Sequence, residues 1–117
     1  MDLLQGTLDM LVLRTLLFGP LHGYGIARAI HGSSNEALDI EFGSLYPALK
    51  RLEMKGWIDS KWDKSELNRR AKFYRLTPAG RKHLTHEHSN WEEFVEAVAS
   101  VMGRRPAPAG VKGQGKK

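Results

Sequence analysis

Residues 42–58 read FGSLYPALKRLEMKGWI, and the folding of this stretch decides the architecture around it. Leu45, Leu49 and Leu52 recur at helical spacing and Gly56 stands where a C-cap belongs, which predicts a helix from Gly43 to Lys55. Pro47 interrupts that pattern, because proline brings no backbone donor. If the helix begins at Gly43 or Ser44, Pro47 is expected in its first turn, where most N–H groups have no helical partner, and the helix start tolerates it. On the helical wheel Leu45, Ala48, Leu49 and Leu52 form one apolar face. Gly43, Pro47, Lys50 and Met54 lie opposite, flanked by Ser44, Tyr46 and Arg51.

Residues 3–18 precede this helix and are apolar nearly all round, with Leu4, Leu8 and Leu11 among many. A surface helix carries one apolar stripe, so this one is expected to face its own core on one side and a partner chain on the other. Gly19-Pro20 ends it, and a second helix is expected from about His22 to Ser33 or Ser34. Leu38 to Glu41 alternates as a short extended piece. Beyond Gly56, Trp57–Trp62 and Lys72–Leu76 alternate as two strands around the polar loop DKSELNRR, a long-looped hairpin. Thr77-Pro78 is a helix start, with Thr as N-cap. The last helix, 78–102, repeats Leu84, Trp91 and Val98 every seven residues, with Phe94, Val95, Val101 and Met102 beside them, a short coiled-coil-like seam. The remainder, GRRPAPAGVKGQGKK, reads as a flexible basic tail.

The length of 117 residues suits one small domain whose modest core gains from oligomerisation. With no cysteine, disulfides and thiolate metal sites are excluded. The opening residues lack a basic n-region and carry Asp2 and Asp9, so neither a signal peptide nor a membrane span is expected, and the location expected is the cytoplasm. The net charge of +5 is unevenly spread. Residues 1–42 hold two Lys/Arg against five Asp/Glu, residues 43–83 eleven against four, residues 84–102 none against four, and residues 103–117 five against none. A basic block of that kind points to a polyanionic partner, against the plainer reading of a solvated face.

Three helices followed by a hairpin is the order of a winged helix-turn-helix, mainly α with a small β-hairpin, here extended by a long C-terminal dimerisation helix. The runs LHGYGIARAI, FGSLYPALKRLEMKGWI and SELNRRAKFYRLTPAGRKHL together resemble the PadR family of transcriptional regulators, in its short subgroup with a single C-terminal helix. The resemblance implies a DNA-binding domain over residues 1–77, a dimerisation helix over 78–102 and a tail over 103–117. It implies a homodimeric repressor on an inverted-repeat operator of double-stranded DNA, with helix 43–55 in the major groove and the wing 58–76 on flanking DNA. Family members also respond to small aromatic or lipophilic compounds, which makes such a ligand an expected partner.

On this reading Ser44, Tyr46, Pro47, Lys50 and Arg51 face DNA from the third helix, and Asn68, Arg69, Arg70 and Lys72 from the wing. His22 and Tyr24 open the second helix, either as packing residues or beside backbone N–H groups offered to a phosphate. Leu4, Leu8, Leu11, Leu84, Trp91, Phe94, Val95, Val98 and Met102 are expected at the dimer interface, Trp91 either within its core or as an aromatic wall for a flat effector. Trp57 and Trp62 read as hairpin packing residues. The rival reading is a winged-helix module that binds protein rather than DNA, which the basic charge of the third helix and wing disfavours. An enzyme would need a nucleophile–base pair or clustered carboxylates, and the sequence offers neither. His83 and His86 share a helical face, but Glu87 is expected to point elsewhere, so no metal site and no cofactor are expected.

Overall fold

The computed structural model describes residues 5–103. The chain forms α1 (Gln5–Leu16), β1 (Leu21–His22), α2 (Gly23–Ser33), α3 (Phe42–Met54), β2 (Ile58–Lys64), β3 (Arg70–Leu76) and α4 (Pro78–Met102). The winged helix is therefore present, with two changes to the expected wing. Its strands are longer than the alternation suggested and pair in register from Ile58↔Leu76 to Lys64↔Arg70, leaving only residues 65–69 as the loop. Leu21–His22 adds a third strand along the free edge of β3, pairing with Tyr74 and Phe73. The piece at Leu38–Glu41 forms no strand; it leads into α3, with Glu41 as the N-cap residue.

One core serves the whole fold. α1 contributes Leu8, Val12, Leu13 and Leu16, α2 Ile26 and Ile30, and α3 Leu45, Ala48, Leu49 and Leu52. Ile58, Tyr74, Leu76 and Leu84 close it from the sheet and the start of α4. Two of the residues expected between protomers thus lie inside one. Leu8 and Leu84 are 5% and 8% exposed, so both serve the protomer's own core first. A helix that is apolar all round conceals which stripe faces inward, and Leu8 shares its stripe with Val12 and Leu16, four residues apart. Leu4, and the tail beyond Gly103, lie outside the described residues.

The junction between wing and α4 is tightly built. Thr77 caps α4 by accepting from the Gly80 amide at 3.0 Å, and its hydroxyl donates to the Gly56 carbonyl at 2.7 Å. The Thr77 amide bonds the Trp57 carbonyl at 3.1 Å. A Cβ at Gly80 would overlap that same Trp57 carbonyl oxygen, which is backbone and has no room to yield. Gly80→Ala should accordingly lower stability by about 1–3 kcal/mol, the range of an overpacked core. The urea midpoint should fall with the m-value unchanged; an unaltered midpoint would show that α4 can shift away from the wing.

Past this junction α4 stays beside α1 through Leu84 and Trp91, and its length helps to give the described chain its 56 Å long axis. Trp91, Phe94, Val95, Val98, Val101 and Met102 are all exposed along it. Among the described residues no helix is long and apolar enough to cross a membrane.

Candidate nucleic-acid interface

Pro47 sits deeper in α3 than expected. With Phe42 as the first helical residue it occupies the second turn, so the donor it lacks is one that Gly43 would have accepted from. The helix tolerates this because Gly43 is exposed, with nothing within 4 Å of where a Cβ would stand, and its carbonyl can turn to water. Pro47 itself is exposed, as are Ser44 and Lys50, and together they form the outer surface of α3. No ion pair engages Lys50 among the described residues.

Arg51 departs from this outward set. Its guanidinium reaches back to Asp9 on α1 at 2.8 Å, with both side chains largely shielded, and its Nε is buried without an acceptor. Arg51 therefore braces α3 against α1 rather than lying open on the outer surface. Glu53 does the same for the wing: one carboxylate oxygen accepts from Ser60 Oγ at 2.6 Å and the other lies 3.5 Å from Lys72 Nζ. This carboxylate joins α3 to both long strands, and the sequence reading assigned it no part. Burial pushes the neighbouring Tyr74 phenol up, and the charge of Glu53 adds to that.

In the wing, Asn68 adopts a left-handed φ of 58° at the tip, and the loop closes through Ser65 N–H to Arg69 C=O at 2.8 Å. Asn68, Arg69 and Arg70 are exposed. Arg70 lies over the Trp62 ring at 4.7 Å, a cation–π contact that leaves Trp62 55% exposed rather than packed away. Trp57 differs: it stacks on His83 at 3.5 Å and joins the edge of the core. Glu87 lies 3.6 Å from His83 one helical turn on, on the same face, contrary to the expectation that it points elsewhere. Even so, no group of three or more His, Asp or Glu among the described residues is arranged to hold a metal ion.

The start of α2 forms the third side. His22 is the N-cap, and its Nδ1 accepts from the Gly25 amide at 3.0 Å, which leaves the ring proton on Nε2, 3.7 Å from Glu66 at the wing tip. A backbone hydrogen bond holds the Glu66 carboxyl below its usual value, and the nearby His22 adds to the effect. Because Gly25 is already capped, fewer amides face outward here than a bare helix end would present. Tyr24 is 56% exposed and Arg28 stands over its ring at 5.7 Å. Gly23 is where the two helices touch: a Cβ there would press on the Tyr46 hydroxyl, which fixes the tyrosine ring across the gap.

Between these three sides runs a groove of about 510 Å3, bordered by Tyr24 and Tyr46 on the helices and Trp62, Leu67 and Arg70 on the wing. It opens to a surface of basic and aromatic side chains suited to a polyanion that also presents flat or apolar groups. A second groove, of about 610 Å3, lies between α1 and α4, with Met10, Leu11, Leu17 and Trp91 on its walls.

Residues 12–86 match the transcriptional regulator PadR-like family. An uncharacterised protein of Lysinibacillus sphaericus is 30% identical over 101 residues, covering 86% of this chain and 93% of its own. Among solved structures, a transcriptional regulator from Clostridium thermocellum is 31% identical with a TM-score of 0.75, over 82% of this chain and 93% of that one. A PadR family transcriptional regulator from Eggerthella lenta is likewise 31% identical, with a TM-score of 0.71 over 86% of each chain.

Proposed function

The chain belongs to the PadR-like family and is a DNA-binding transcriptional regulator rather than an enzyme, and from that premise we propose that it represses transcription as a homodimer. Each α3 enters the major groove at one half of an inverted-repeat operator, and each wing follows the flanking backbone. The observation that supports this reading is that α3 and the wing each carry exposed side chains not engaged within the protomer. Ser44, Pro47 and Lys50 on α3 and Asn68 and Arg69 on the wing are exposed, while Arg51 and Lys72 are held by Asp9 and Glu53.

In this reading Lys50 and Arg69 supply charge, Ser44 and Tyr46 hydrogen bonds, and Arg70 a contact shared with Trp62. The dimer forms through the outer faces of α1 and α4, which divides the chain into a DNA-binding part over 1–77 and a dimerisation helix over 78–102. A small aromatic or lipophilic effector seated against Trp91 in the groove between α1 and α4 would favour a dimer whose two α3 helices no longer match the half-site spacing. The work is done in the cytoplasm, where the DNA lies. A gel shift with the gene's own upstream DNA at two salt concentrations tests the proposal: binding should weaken steeply as salt rises, and absence of binding at low salt would refute it.

A further inference from the structure

Phe42 is an aromatic residue that lies outside the core. It is the first residue of α3, 43% exposed, and belongs neither to the buried core nor to the apolar side chains packed against it. Its ring is nevertheless held in place. Tyr24 lies 6.5 Å away across the gap to α2, and Tyr46 lies 5.7 Å away one turn along α3. The residue before it, Glu41, is an exposed N-cap whose carboxylate makes no capping bond.

We infer that Phe42 is a specificity-determining residue that reads the C5-methyl group of a thymine in each operator half-site. The inference rests on the DNA-binding reading above and deepens it. In recognition helices it is the N-terminal residues that reach base edges, and Phe42 occupies that end. A phenyl ring forms no hydrogen bond, and the apolar feature that base pairs display in the major groove is the thymine methyl. The backbone is a poor partner for this corner, because the Glu41 carboxylate and the negative face of the ring both repel phosphate. Phosphate-binding positions on this surface carry Lys50 and Arg69 instead. Held between two tyrosines, the ring loses little freedom when it meets the methyl group.

Deoxyuridine keeps the pairing of thymine and lacks only the methyl, so replacing each half-site thymine in turn tests the inference. At one thymine per half-site the substitution should weaken binding of the wild-type protein about fourfold, the worth of one buried methyl, and on the order of tenfold when both half-sites are changed. Phe42→Ala should bind the all-thymine operator more weakly and show no difference between thymine and uracil at that position. Phe42→Leu should keep part of the difference, which separates apolar contact from a folding defect. The same methyl dependence in wild type and Phe42→Ala, or none at any position, overturns the inference while leaving the DNA-binding reading intact. Failure of the wild-type protein to bind the unmodified DNA sinks both.

Discussion

Replacing Lys50 and Arg69 together by alanine should weaken operator binding on the order of a hundredfold or more at about 0.15 M salt, with fold and assembly unchanged. The choice of these two cations follows from what the others are doing. Arg51 is bonded to Asp9 on α1, Lys72 lies beside Glu53, and Arg70 rests over Trp62. Each of those three would disturb packing if removed, and its loss could not be read as a lost phosphate contact. Lys50 and Arg69 are exposed and free of ion pairs among the described residues. In a homodimer the double substitution removes four charges, and at about 0.9 per neutralised phosphate the log–log salt slope should fall by about 3.6. A slope unchanged within error would mean that α3 and the wing do not face the backbone. Loss of the dimer in the same variant would mean that this face is the subunit interface.

The sequence disclosed the helices, the hairpin and the cap at Thr77, because their signals are local and periodic. It concealed β1, since Leu21–His22 is two residues long and becomes a strand only through the edge of β3. Arg51 was misplaced for a related reason: a wheel marks the flank of a helix as outward, but Asp9, forty-two positions earlier, reaches that flank once α1 packs there. Glu53 carried no signal at all, because its two partners, Ser60 and Lys72, come together only when the strands pair. Phe42 lies just outside the helix expected from Gly43. The observed start one residue earlier puts a phenyl group at the tip of the helix. The local pattern thus marked the candidate surface, and tertiary contacts decided which of its side chains are engaged elsewhere.

Val98→Glu should dissociate the dimer and abolish operator binding at concentrations where the wild-type protein saturates the DNA. Val98 is 41% exposed on the free part of α4, in line with Trp91 one heptad before it and beside Phe94, Val95 and Met102. A surface this apolar on a protein this small calls for a cover. The charge around it suggests what kind. Residues 84–102 carry four Glu and no Lys or Arg, whereas Arg14 and Arg81 border the groove between α1 and α4. An acidic apolar helix from a second copy therefore meets complementary charge at that groove. Losing two buried valines per dimer costs about 3 kcal/mol, roughly a hundredfold in the dissociation constant. The new carboxylates add the penalty of taking charge out of water. Sedimentation should show a monomer whose helical content is intact, since the substituted residue lies clear of the core. A monomer still presents Lys50 and Arg69, so weak, salt-sensitive binding that ignores half-site spacing should persist. A Val98→Glu protein that stays dimeric and binds its operator normally would place the interface on α1 alone.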